Sequence, residues 1–380
     1  MTPDNPKPFG TTRDEADLGG SDLTIESIQV RAVLAPMPKP LKTASGQLAH
    51  VAVLLIDLQT SQGITGVSYL FSPRQDMLKV FGETIHALSA SIQGMRCDPV
   101  AIAAFLDRQF LLFGGTGVVT MARAGIDMAL WDAIAKEREK PLFDLLGGEN
   151  VPIKAYESSG LGLSGWKEVA EEAEGFARSG FAEMKIRLGY PTLAQDIQVL
   201  TAVRSAVGPD IGLMVDYNQS LPFEIALERC LALDPFQLLW IEEPVHAADL
   251  EGAAALTGRI ETPIQIGENL FSPTEVNRAL ALRSSTYLMP DVMKIGGVTT
   301  WLTAAHSARQ HTIPVSSHLF PEISTHLLAC APNRHFLEYA NWTDAILQEP
   351  VLPQNGYVQP REKPGAGIAW DTSAVAKFQI

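Results

Sequence analysis

Apolar and polar positions fall into three regimes along the chain. From Leu23 to Phe71, the runs TIESIQVRAVLAP, VAVLLIDLQTS and ITGVSYLF alternate well enough for strands. The turn at Gly63 joins the last two, so the pattern predicts an antiparallel meander. Between the first two lies PKPLKTASGQLAH, whose Pro and Gly content predicts a loop of the length that often carries function. Residues 73–138 follow a helical rhythm. In GVVTMARAGIDMALWDAIAKERE, Ile126, Ala129, Leu130, Ala133 and Ile134 recur at i, i+3, i+4, i+7 and i+8, one face of a helix. A meander followed by helices predicts an α+β unit over residues 23–147.

From residue 148 the pattern changes. IKAYES, AEMKIR, IGLMVDYN, LLWIEEP, IQIGEN, YLMPDVMK, PVSSHL and HFLEYA are short apolar runs separated by helical stretches. Strands buried on both faces read this way. Eight such units predict an α/β fold, a (β/α)8-type barrel over residues 148–350. The Pro- and Gly-rich residues 351–380 predict a closing extension that returns to the capping unit, and residues 1–22 a loose tail without signal-peptide character.

Composition narrows the partners. The 380 residues are 46% hydrophobic with a net charge of −14, which disfavours nucleic acid, and no apolar run is long enough to span a bilayer. Cys97, Cys230 and Cys330 match neither a zinc pattern nor a disulfide framework, so reduced thiols in cytoplasm are expected. FGGTG at 113–117 follows no clean strand and lacks an acidic partner, which argues against a dinucleotide site.

In a parallel barrel the chemistry sits at the C-terminal strand ends. Those positions hold Ser158, Lys185 and Arg187, Asp216 and Asn218, Glu242 or Glu243, Glu268, Asp291 and Lys294, His318, and Glu338. Asp216, Glu242 and Glu268 end three successive strands at equal spacings of 26 residues. Three converging carboxylates without cysteine suit a hard cation, Mg²⁺. Alternation puts Lys185 and Arg187 on one face, and with Lys294 they offset the negative metal cluster enough for a carboxylate substrate. Of Glu242 and Glu243 only one can face the axis, and spacing does not decide which. Asp291 beside His318 makes a general base. The other seven histidines have no such setting. A divalent metal and hydrogen-bond donors on a substrate carboxylate would stabilise the enediolate left by α-proton removal. A protonated Glu338 could donate to that oxyanion.

MARAGIDMALWDA, MVDYNQS, WIEEP, PDVMKIGGVT and SSHLFPEIS together resemble the mandelate racemase subgroup of the enolase superfamily, over roughly residues 23–375. The resemblance implies a capping α+β domain on a modified TIM barrel, (β/α)7β, and a homo-oligomer, octamer or dimer. It matches Asp216, Glu242 and Glu268 to the Mg²⁺ ligands, which selects Glu242, and Asp291–His318 to the proton-transfer dyad. It matches Glu338 to the electrophilic acid and Lys185 to the lysine on the substrate carboxylate. Asn218, Ser158 and Tyr69 match substrate-side positions. Thr43, with Lys42, Ser45 and Gln47, makes the loop polar, as a polyhydroxy acid would need. One departure stands out. The K-x-K motif, whose second lysine serves the opposite face of the carbon, is Lys185-Ile186-Arg187 here. A guanidinium is a poor base near neutrality, and racemisation needs a proton carrier on both faces. The expected reaction is therefore dehydration of a hydroxylated, sugar-type acid to a 2-keto acid. The alternatives are racemisation or epimerisation of a mandelate-like acid and non-catalytic, metal-dependent ligand binding.

Overall fold

The structure, a computed structural model, describes residues 21–380. The tail expected over 1–22 lies outside the described residues except for its last two. β1 (Ile25–Thr43), β2 (Gly46–Thr60) and β3 (Thr65–Ser72) form an antiparallel sheet in that order. The expected loop at 38–50 is instead part of this sheet. Pairing runs to Pro36↔His50, shifts register, and resumes from Leu41↔Leu48 to Thr43↔Gly46. Pro40, which has no N–H to offer a ladder, falls inside the shift. The result is a two-stranded arm that reaches beyond the sheet.

Three helices follow, Met77–Ile92, Pro99–Gln109 and Val118–Glu137. The second opens on a side-chain cap, Asp98, which accepts from the Ala101 N–H at 2.9 Å, with Pro99 at its first position. The third is not amphipathic as its spacing suggested. Every residue from Ala124 to Ala135 is buried, because the helix is sandwiched between the sheet and the barrel. Its two buried acids are satisfied across those contacts. Asp127 accepts from Thr299 Oγ1 at 2.6 Å and Thr299 N at 3.1 Å. Asp132 accepts from Val67 N and Ala366 N, both at 2.8 Å.

The second sheet is a parallel ring in the order β10-β4-β5-β6-β7-β8-β9, with β4 (Ile153–Glu157), β5 (Glu183–Arg187), β6 (Gly212–Asp216), β7 (Ile241–Glu242), β8 (Ile264–Ile266), β9 (Tyr287–Leu288) and β10 (Leu337–Tyr339). The expected strand PVSSHL makes only isolated parallel bridges, Leu288↔Val315, Asp291↔His318 and Val315↔Arg334, and these join β9 to β10. Helices Trp166–Arg178, Leu193–Val207, Phe223–Leu233, Leu250–Thr257, Pro273–Leu282, Val298–Gln310 and Pro321–Cys330 fill the crossovers. The architecture is the α/β modified barrel, (β/α)7β, with a capping unit. Its interior is packed with Tyr156, Met214, Trp240 and Phe336. The last residues touch both units: β11 (Tyr357–Val358) pairs antiparallel with the barrel strand β4, while Gln379 bridges to Val33 of the cap and Ile380 N donates to Ala32 O at 3.0 Å.

Candidate active site

Register places the acids side by side. Arg187 lies opposite Asp216, and Asp216 opposite Glu242. Glu268 follows β8 by one glycine, Gly267, whose φ of 136° lets the chain turn over the barrel mouth. Asp291 and His318 face each other across a parallel bridge, and Glu338 pairs with Tyr156 of β4. Ser158, Lys185, Arg187, Asp216, Glu242, Glu268, Asp291 and Glu338 are all buried.

Lys185 sits at the centre. Its Nζ is 2.5 Å from Glu242 Oε1, 2.7 Å from Glu338 Oε1 and 3.5 Å from Asp216 Oδ2. Glu242 thus points into the ring. Glu243, with a left-handed φ of 38°, turns instead to Asn269 Nδ2 at 2.8 and 3.0 Å. The other oxygen of Glu242, Oε2, accepts from Trp240 Nε1 at 3.1 Å and Gln265 Nε2 at 3.3 Å. Burial pushes the Glu242 carboxyl up, to about 8, against the pull of Lys185.

Asp216 accepts from Asn218 N at 2.7 Å and Asn218 Nδ2 at 2.8 Å, made possible by the left-handed φ of 46° at Asn218. Glu268 Oε2 is 3.0 Å from His318 Nε2, and Glu268 Oε1 is 3.5 Å from Lys294 Nζ, which donates to Asn269 Oδ1 at 2.8 Å. His318 Nδ1 meets Asp291 Oδ2 at 2.5 Å, while Asp291 Oδ1 accepts from Met293 N and Lys294 N. The imidazole is therefore held from behind with Nε2 aimed into the carboxylate ring. Burial alone would lower the His318 pKa, but Glu268, Glu338 and Asp291 hold it well above its ordinary value.

Glu338 differs from the expected neutral acid. Its Oε1 accepts from Ser158 Oγ at 2.7 Å and from Lys185, and its Oε2 accepts from Leu319 N at 3.0 Å. Burial would raise its pKa, yet Lys185 and His318 pull it down, and both of its oxygens accept in this arrangement. Arg187 donates from Nη1 to Gly160 O at 2.6 Å and from Nη2 to Ser158 Oγ at 2.8 Å.

Two expected contacts are turned elsewhere. Thr43 Oγ1 donates to Gly46 O at 3.3 Å and accepts from Ser45 N, closing the tip of the arm. Tyr69 is buried, donates to Glu322 Oε2 at 2.7 Å and packs on Phe320 at 4.8 Å. Neither hydroxyl points at the carboxylate ring. Ser45 makes the contact instead, donating to Asn218 O at 2.5 Å, and Leu163 N reaches Lys42 O at 2.7 Å. A Cβ on Gly162 would lie 2.7 Å from that same Lys42 oxygen, so the arm can seat only against glycine. Trp240, Gln265 and Asn269 were absent from the sequence-derived set. Trp240 precedes Glu242 by two, on the same strand face, and that periodicity was the available signal.

Among the described residues, no three Asp, Glu, His or Cys side chains are drawn together as a ready cage. The carboxylates are turned onto internal cations. The donor set nonetheless fits a divalent cation. Asp216, Glu242 and Glu338 converge on Lys185, and Glu268 lies between Lys294 and His318. An all-oxygen set of this kind suits a hard ion such as Mg²⁺, and Asp216, Glu242 and Glu268 are the adjacent members.

Comparison with known proteins agrees with this geometry. Residues 26–147 match the mandelate racemase/muconate lactonizing enzyme N-terminal domain, and residues 168–374 the enolase C-terminal domain-like family. The chain is 30% identical over 375 residues to L-talarate/galactarate dehydratase of Salmonella typhimurium, covering 96% of this chain and 92% of that one. An enolase from alpha proteobacterium bal199 with bound magnesium superposes with a TM-score of 0.92 at 36% identity, covering 94% of this chain and 100% of that one. An enolase from Bradyrhizobium complexed with magnesium and mandelic acid gives a TM-score of 0.89 at 40% identity, covering 95% and 99%. No helix among the described residues is long and apolar enough to cross a membrane. On the extent of these matches, the chain belongs to the mandelate racemase/muconate lactonizing enzyme family of the enolase superfamily, a family of enzymes.

Proposed function

We propose that this chain removes the α-proton of a 2-hydroxycarboxylate in the presence of Mg²⁺ and, through an enediolate, dehydrates a hydroxylated sugar-type acid to its 2-keto acid. The observation that carries the reading is the asymmetry of the ring. On one side His318 is backed by Asp291 at 2.5 Å with Nε2 facing inward. On the other, Arg187 is spent on Ser158 and Gly160. Asp216, Glu242 and Glu268 would hold the cation, with Trp240, Gln265 and Asn218 orienting them. A divalent cation there supplies a Lewis acid for the substrate carboxylate and competes with His318 for the charge on Glu268. His318 takes the α-proton at Nε2, while Asp291 stabilises the imidazolium that forms. Lys185, anchored by Glu338, hydrogen-bonds the carboxylate oxygen on which charge develops. The imidazolium then returns its proton to the departing β-hydroxyl, so the base and acid are one residue and the opposite face needs no proton carrier. Lys294 and Asn218 lie at the rim of the ring, where the substrate's hydroxyls would fall.

A second reading, racemisation of a mandelate-like acid, is favoured by the mandelic acid bound to the Bradyrhizobium relative. Incubating a library of hydroxy acids with Mg²⁺ in D₂O separates the two. Dehydration gives a 2-keto product trapped by semicarbazide. Racemisation gives α-deuterium with loss of optical purity. Exchange with no acid in a broad library would sink the proposal and leave non-catalytic binding. The free thiols of Cys97, Cys230 and Cys330 suit a reducing cytoplasm. The exposed apolar turn Leu111–Phe113 suits a homo-oligomer, which light scattering would reveal.

A further inference from the structure

Arg187 is a buried guanidinium with no carboxylate within ion-pair distance among the described residues, and its Nε has no hydrogen-bond partner. Glu157 and Asp216 lie within electrostatic reach of it but neither touches it, so neutral partners fix where the guanidinium points. Nη2 donates to Ser158 Oγ at 2.8 Å and Nη1 to Gly160 O at 2.6 Å. A guanidinium only donates, and a serine hydroxyl carries one hydrogen. Arg187 therefore occupies a lone pair of Ser158 Oγ and leaves its hydrogen for Glu338 Oε1 at 2.7 Å. The same Glu338 oxygen receives Lys185 at 2.7 Å, and the second oxygen receives Leu319 N. The chain Arg187, Ser158, Glu338 thus has one direction of donation from end to end, and a charged donor at its head polarises the hydroxyl in the middle.

We infer that Arg187 is a positioning residue that acts through Ser158 to fix the carboxylate of Glu338, and with it Lys185, rather than a carrier of the α-proton. This rests on the proposed proton abstraction for its kinetic consequences, but its geometry does not. The fixed oxygens belong to the Glu338–Lys185 pair, which faces one charge in the bound carboxylate and a second as the enediolate forms, so the pair is needed more in the transition state than in the ground state. Disturbing the chain should lower kcat and leave KM within about threefold.

The test is a double-mutant cycle on Arg187→Met and Ser158→Ala, read as α-proton exchange in D₂O with Mg²⁺. Each single change is expected to slow exchange about 10- to 100-fold. The double variant should be no slower than the worse single by more than about threefold, because both cut one chain. Losses that multiply would overturn the inference, as would a rise in KM with kcat preserved. A crystal structure of Arg187→Met with Mg²⁺ gives a readout that needs no turnover. Ser158 Oγ should leave Glu338, to beyond about 3.2 Å, and an unmoved pair would overturn the inference. If the wild type exchanges no α-proton with any acid, the functional proposal fails while this structural comparison still decides the positioning role.

Discussion

Replacing Lys185 by Met tests whether an internal cation and a metal ion compensate the same acids. Lys185 is 1% exposed and lies within 3.5 Å of three carboxylates that are themselves buried. Methionine matches its length and leaves Glu242, Glu338 and Asp216 without their shared counter-charge. Removing one partner of a buried ion pair costs about 3–5 kcal/mol. At roughly 2–4 °C per kcal/mol for a domain of this order of size, Tm should fall by about 6–20 °C in EDTA. Mg²⁺ should then rescue the variant more than the wild type, because nothing now competes for Glu242 Oε1. Mg²⁺ stabilises both proteins, so the gap should narrow in saturating MgCl₂ by about 1.4 kcal/mol for each tenfold by which the variant binds the ion more tightly. Thermal unfolding followed by circular dichroism, with and without Mg²⁺, reads both arms. A gap unchanged by Mg²⁺ would refute the shared-carboxylate argument, and an unchanged Tm in EDTA would refute the compensation argument itself.

His318→Asn should abolish α-proton exchange while calorimetric titration still shows Mg²⁺ binding. Trp240→Phe removes one of the two donors to Glu242 Oε2 and should weaken Mg²⁺ by about tenfold by the same titration. Arg187→Lys places a titratable amine where the guanidinium stood, and chiral analysis of recovered substrate should show partial inversion absent from the wild type. Burial lowers the pKa of His326 to about 4, against an unfolded value near 6.5. Between those values the unfolded chain binds more protons, so His326 contributes stability above pH 6.5 that is lost as pH falls towards 4, roughly 2 kcal/mol by pH 5. Asp344, raised to about 7 by burial and Glu322, pulls the opposite way. The contribution is therefore read as the difference in Tm between wild type and His326→Gln, which should shrink from pH 7 to pH 5.

The ring of acids was legible because equal spacing and apolar strands are local signals. Asp216 and Glu268 needed only a strand period and a repeat length to be found, whereas spacing did not decide between Glu242 and Glu243 and the family resemblance selected Glu242. The arm at 38–50 was not legible, since Pro and Gly spell a loop wherever a register shift lets a ladder resume beyond them. The helix Val118–Glu137 showed one apolar face, yet Asp127 and Asp132 are buried because their partners, Thr299 and Ala366, lie far along the chain. Glu338 shows the same limit. The sequence places it at a strand end, but Ser158, Lys185 and Leu319 decide its protonation, and no spacing rule assembles those three.

The helix Val118–Glu137 also bears on how such a protein can be re-engineered. Because Asp127 and Asp132 complete hydrogen bonds belonging to the barrel and to the returning segment near Ala366, the cap is not a detachable cassette. A transplanted cap would arrive with mismatched buried acids at this seam and would unfold with its new host or fail to join it. The arm is different. It meets the barrel through the backbone of Lys42 and the hydroxyl of Ser45, groups that many tip sequences could supply. Recombination confined to residues 37–49 is therefore expected to leave the interior intact, where exchange of the whole cap would not.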